Sequence, residues 1–102
     1  MAYRLARRAD DDVRHIYREG NRLFGRRQAD RYHDRLMRIF ELLADHPRLA
    51  RERGEITPPA RIHPCGSHVI IYRIELNDDI LILRVRHGRE DWIGGHGSVS
   101  DE

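Results

Sequence analysis

The side chains best suited to chemistry crowd toward the end of this 102-residue sequence: Arg84, Arg86, His87 and Arg89, then the only tryptophan, Trp92. Guanidinium groups neutralise phosphate charge and imidazole moves protons. Cleaving RNA through its 2′-hydroxyl needs a base, an acid and such cationic support. Arg84, Arg86, His87 and Arg89 would be a makeshift version of that set, with His87 more simply read as a strand-end side chain. A second chemistry suits the cluster better. Arg and Trp dominate the energetic centres of protein interfaces, so Arg84, Arg86, Arg89 and Trp92 are candidate contacts for a macromolecular target. Metal chemistry is not expected. His63, His68, His87 and His96 lack regular ligand spacing, and Cys65 has no CxxC companion. Pro64-Cys65-Gly66 brings no base for a thiol nucleophile. Gly94-Gly95-His96-Gly97 lacks the Lys and following helix of a phosphate loop. Neither a catalytic residue nor a cofactor is predicted.

These residues hang on a strand pair. His68-Val69-Ile70-Ile71-Tyr72-Arg73-Ile74-Glu75-Leu76 and Ile80-Leu81-Ile82-Leu83-Arg84-Val85-Arg86 flank the polar Asn77-Asp78-Asp79, a β-hairpin signal. A two-residue turn at Asn77-Asp78 would set Leu76 opposite Asp79. Ile74 then faces Leu81, Tyr72 faces Leu83 and Ile70 faces Val85, on one wholly apolar side. The other side would carry Val69, Ile71, Arg73, Glu75, Ile80, Ile82, Arg84 and Arg86. Arg61–Cys65 reads as a further strand, at an edge or bulged because Pro64 cannot donate to a ladder. Tyr3–Arg7 alternates weakly, as a short first strand would.

Two helices precede the hairpin. Asp10-Asp11-Asp12 suits a helix N-terminus, and Val13, Ile16, Tyr17, Gly20, Leu23 and Phe24 recur at helical spacing. This predicts a helix over 10–24, with Gly25 as its left-handed cap. Arg26–Ala44 predicts a second, with Ala29, Tyr32, Leu36, Ile39, Phe40 and Leu43 buried. Its polar face carries Arg27, Asp30, Arg31, Asp34, Arg35, Arg38 and Glu41, with Arg31–Asp34 and Asp34–Arg38 as supportive pairs. The short link forces an antiparallel helix hairpin. Pro47 ends the run, and 47–59 reads as loop. The fold class expected is α+β, the helix pair covering one face of a small, mainly antiparallel sheet behind an N-terminal strand. Nothing is left to cover the reverse face, so Val69, Ile71, Arg73, Ile80 and Ile82 are expected at a partner surface.

Composition sets outer bounds. The chain is long enough for one core, so residues 1–93 are expected as a single domain, with 94–102 a flexible Gly/Ser-rich tail. Charged residues make up 35% and hydrophobic residues 39%, as in a folded domain with a charged surface. The net charge is +2, and all 19 basic residues are Arg. Arg forks suit carboxylates and phosphates, but acidic residues dilute them along the chain, so no uniform nucleic-acid stripe is expected. No apolar run or signal peptide points to a membrane, and the single cysteine fits a reducing cytoplasm.

The element order, with Gln28-Ala29-Asp30-Arg31-Tyr32, Phe40–Leu49, Pro64–Arg73 and Ile80–Asp91, resembles the RelE/ParE toxin superfamily over residues 2–92. The resemblance implies the toxin of a type II toxin–antitoxin pair, neutralised by a ParD-like antitoxin, itself a ribbon-helix-helix protein. It implies DNA gyrase as target for ParE-like members and contact with operator DNA only through the antitoxin. It also implies two alternatives: a ribosome-dependent mRNA endoribonuclease of RelE type, or a non-toxic antitoxin-binding co-repressor. RelE-type enzymes share a Lys/Arg cluster and a C-terminal tyrosine. This chain has no Lys, and its last tyrosine, Tyr72, points into the apolar face, which favours the non-enzymatic reading. Under the resemblance, Arg84, Arg86, Arg89 and Trp92 become candidate gyrase contacts. Val69, Ile71, Arg73, Ile80 and Ile82 become candidate antitoxin contacts, with an added strand and an amphipathic helix as the expected modes.

Overall fold

A computed structural model describes residues 2–88. Strand β1 (Tyr3–Leu5) leads into helices α1 (Arg7–Phe24) and α2 (Arg26–Asp45). Strands β2 (Glu52–Arg53), β3 (Ala60–Cys65), β4 (His68–Ile74) and β5 (Ile80–His87) follow. They form one five-stranded sheet in the order β1-β5-β4-β3-β2, antiparallel except where β1 runs parallel to β5. The helices pack on one face, as the α+β expectation requires.

Helix α1 starts at Arg7, a turn earlier than the acidic triplet suggests, because that triplet does not cap it. No side chain caps this end. Asp10 instead pairs with Arg14, and Asp12 turns toward the sheet. Gly25 alone links the helices, with φ 89° and ψ 163°; its φ is positive as expected, but its ψ is extended rather than left-handed helical. Helix α2 runs one residue past its predicted end. Within the expected 47–59 loop, Glu52–Arg53 pairs with Ala60 and Arg61. Pro64 lies on the part of β3 that β2 does not reach, so its missing N–H costs no ladder bond on that side.

The hairpin departs from its expected register in an instructive way. Glu75 N–H donates to Asp79 O at 2.8 Å and Asp78 N–H to Glu75 O at 2.9 Å. Asp78 takes φ 67°, so the turn holds three residues, not two. Ile74 therefore faces Ile80 and Tyr72 faces Ile82; a bulge near Leu83 then restores the expected Ile70–Val85 pairing. The extra turn residue and the bulge cancel by the middle of the strands. Between them they exchange the faces of Ile80, Leu81, Ile82 and Leu83.

The core follows that exchange. On the helix side Ile70, Tyr72, Ile80, Ile82 and Val85 pack with Val13, Leu36, Phe40 and Leu43. Tyr72 is fully buried and donates its hydroxyl to Pro47 O at 2.8 Å, satisfying the phenol. On the reverse side Ile71, Leu81 and Leu83 cluster with Ile56, Ala60 and Ala6. The expected bare reverse face is thus corrected. Ile71, Ile80 and Ile82 are all at or below 1% exposure. Ile80 and Ile82 face the helices, and Ile71 lies in the cluster that Ile56 joins from the loop before β3. Val69 and Arg73 remain half-buried.

Candidate functional site

A groove of about 730 Å³ opens between the helix pair and the far end of β4–β5. Its walls are mainly apolar and come from helical spacing, with Val13, Ile16, Gly20, Leu23 and Phe24 from α1 and Ala29 and Leu36 from α2, beside the polar His15, Glu19, Gln28 and His33. Gly20 faces Ala29 across the helix pair; a Cβ there would lie 3.6 Å from that of Ala29, an ordinary contact. At the helix tip Leu23 and Phe24 are 57% and 62% exposed, large apolar side chains that the fold leaves uncovered.

The inner end is polar and closed by two fixed arrangements. Asp12 accepts from Arg84 Nε at 2.8 Å, Arg84 Nη2 at 3.0 Å and Val85 N–H at 2.9 Å. Both side chains are about 15% exposed, so this is a largely desolvated, two-pronged pair that ties α1 to β5. The second arrangement centres on Tyr32. Its hydroxyl accepts from Ser67 N–H at 3.1 Å, lies 3.0 Å from Cys65 O and 2.6 Å from His68 Nδ1. A hydroxyl has one proton and two lone pairs. With the proton donated to the Cys65 carbonyl, His68 must donate from Nδ1, and every site on the oxygen is used. Gly66, at φ 59°, makes room: a Cβ there would come within 2.7 Å of the Tyr32 ring. Burial pushes the Tyr32 hydroxyl and the Cys65 thiol above their ordinary pKa values. The His68 and His87 rings meet edge-on with centroids 5.4 Å apart, a cross-strand pair.

The expected target residues divide. Arg84 is committed to Asp12 and serves the groove's construction. Arg86 and His87 line the groove. Arg89 and Trp92 lie outside the described residues, as does the expected tail 94–102. Among the described residues, no three His, Cys, Asp or Glu side chains come together as metal ligands. No helix among them is long and apolar enough to cross a membrane. Sequence reasoning missed the Asp12–Arg84 pair and the Tyr32 hub. The one available signal for the hub was Gly66, a turn glycine beside a tyrosine already placed on a buried stripe.

A strand, a helix hairpin and a β-meander around such a groove define a small α+β fold. A chain from the chromosomal ParDE TA system of P. aeruginosa shares it, with a TM-score of 0.73 at 20% identity over 85% of this chain and 95% of that one. A family model described as the ParE toxin of type II toxin-antitoxin system, parDE, matches residues 3–92. Toxin ParE1 of Caulobacter vibrioides is 33% identical over 85 residues, covering 83% of this chain and 86% of the relative. Toxin ParE1 of Mycobacterium tuberculosis is 36% identical over 64 residues, covering 63% and 65%. The chain belongs to the ParE toxin family.

Proposed function

We propose that this chain is a cytoplasmic, non-enzymatic toxin that poisons DNA gyrase and is silenced by a ParD-like antitoxin. Family membership over residues 3–92 is the observation that carries this reading. The groove supplies the antitoxin's seat. Its apolar walls and the uncovered Leu23 and Phe24 fit the apolar face of an amphipathic helix. Arg86 and His87 at its inner end fit carboxylates on that helix. The antitoxin contact thus moves from the sheet's reverse face to the groove. Val69 and Arg73, still partly exposed on β4, stay as secondary candidates on the reverse face, away from the groove, whereas Ile71, Ile80 and Ile82 contribute through the core.

Gyrase contact is assigned to Arg86, Arg89 and Trp92, with Arg84 holding β5 in place. A chain ending at His87 keeps all of β5 and is expected to bind antitoxin yet no longer arrest growth. Full toxicity after that truncation would remove Arg89 and Trp92 from the target surface and leave Arg86 alone to carry it. The functional test is induced expression with two readouts. Double-strand DNA breaks with filamentation, and gyrase-dependent cleavage of plasmid in vitro, are expected. Cleaved mRNA with intact DNA would replace the gyrase reading with the endoribonuclease one.

A further inference from the structure

The outer face of α2 carries a row of exposed arginines that pair with no carboxylate among the described residues, though the charge of Arg35 also reaches Tyr32 and Cys65. Arg4, Arg14, Arg22, Arg26, Arg48, Arg53, Arg73 and Arg84 each reach a carboxylate. Arg27, Arg31, Arg35 and Arg38 are exposed and, among the described residues, none of them does. Asp34 stands at the right spacing from Arg31 and Arg38, but neither expected pair forms.

Helix geometry explains how a sequence with interleaved acids yields a basic stripe. At roughly 100° per residue, these four arginines fall within an arc of roughly 80°. Asp30, Asp34 and Glu41 sort to one flank of it. The buried residues Ala29, Leu36, Phe40 and Leu43 occupy the opposite side of the helix. The stripe is therefore turned away from the core, and a ligand filling the groove would leave it open.

We infer that this stripe is a contact surface for the phosphate backbone of duplex DNA, gripped without reading sequence. From Arg27 to Arg38 the helix rises about 17 Å, the axial run of about five phosphates of one strand. Successive i,i+4 arginines stand about 6 Å apart, one for about every two phosphates. Guanidinium forks match phosphate oxygens. The stripe holds no aromatic side chain on which unpaired bases would stack, which favours a duplex over a single strand. Contacts confined to phosphate position a protein but carry no sequence information. The inference stands apart from the choice of gyrase or antitoxin and can fail without touching either.

The test is fluorescence anisotropy of the full-length chain with a labelled duplex of arbitrary sequence. Four phosphate contacts give a slope of log affinity on log salt of about −3.6, a loss of roughly 150-fold between about 50 and 200 mM salt. The double variant R31Q/R35Q should halve that slope, leaving a loss of roughly tenfold over the same range. R31K/R35K, which keeps the charge, should restore it. R7Q/R18Q removes the same charge from exposed positions on α1 and should leave the slope unchanged. An equal fall in both Gln variants would mean net charge alone, and would overturn the inference. So would a wild-type slope near zero, or polyglutamate competing as well as DNA, which would point to an acidic polypeptide. Thermal midpoints of all variants are read alongside and should not move, because these side chains are exposed.

Discussion

The two ends of the groove are built by different physics. The inner end is polar, largely desolvated and fully hydrogen-bonded: Asp12 serves three donors and Tyr32 spends its whole hydroxyl on Cys65, Ser67 and His68. The tip is apolar and unfinished: Leu23 and Phe24 stand in solvent beside a one-residue link. Desolvated polar groups penalise the loss of any one partner. Exposed apolar groups contribute nothing to the isolated fold and gain free energy only when something covers them. Stability should thus be concentrated at the inner end and binding at the tip, and substitutions can separate the two.

The sharpest break is Asp12→Ala. It leaves the Arg84 guanidinium in a site about 15% exposed, without its only ion-pair partner among the described residues, and strips Val85 N–H of its acceptor. A loss of about 3 kcal/mol in urea unfolding is expected. The double variant D12A/R84M should recover most of it, since an apolar pair tolerates the same site. Loss of the same size in both would mean that Asp12 acts through Val85 alone.

At the tip the expectation reverses. L23D/F24D should weaken antitoxin binding by about 100-fold, as loss of an anchoring apolar contact does. The unfolding free energy should stay within about 0.5 kcal/mol of wild type. Calorimetry with the purified antitoxin reads the first number and urea unfolding the second. Unchanged affinity would place the antitoxin elsewhere. Between these lies Gly66→Ala, which forces a side chain into φ 59° and into the Tyr32 ring at 2.7 Å. About 2 kcal/mol of destabilisation is expected, with the Tyr32–His68 contact disturbed.

The same contrast explains what the sequence could tell. Helical spacing located α2 to within a residue and assigned Tyr32, Leu36, Phe40 and Leu43 to the buried side, because apolar periodicity is written residue by residue. The strand pair was legible, and so was Ile70 opposite Val85. The faces of Ile80 through Leu83 were not. They depend on whether the turn is the two residues Asn77-Asp78 or the three residues Leu76-Asn77-Asp78, and on a bulge near Leu83. Both alternatives satisfy the same alternation of aliphatics, so the pattern is silent on the choice. Ile56 falls between Gly54 and Pro58-Pro59, where the pattern predicts loop and gives no sign of the cover it provides to the reverse face. Asp12–Arg84 joins residues 72 apart, and only the assembled fold brings them together. Leu23 and Phe24 share the helical spacing of Val13 and Ile16 yet stand uncovered, for a related reason. Spacing reports which face of a helix is apolar, not how far the neighbouring element extends to cover it.

The smallest expected effect, and the most direct check on desolvation at the inner end, is alkaline. Burial raises the Tyr32 and Tyr72 hydroxyls above the ordinary 10.0, and the Cys65 thiol above 9.0. The folded chain holds these protons at pH values where the unfolded chain releases them. Their contribution is complete below the unfolded values and is lost as pH rises through the folded ones. Stability should therefore decline from about pH 9 upward, measured by urea unfolding at stepped pH. Tyr17 is also raised, first through its hydrogen bond to Asp30 and only secondly through burial. Tyr17→Phe should leave the alkaline slope nearly as it was, whereas Tyr32→Phe should flatten it. If the two variants flattened it equally, the carboxylate next to Tyr17, rather than burial around Tyr32, would be setting the response.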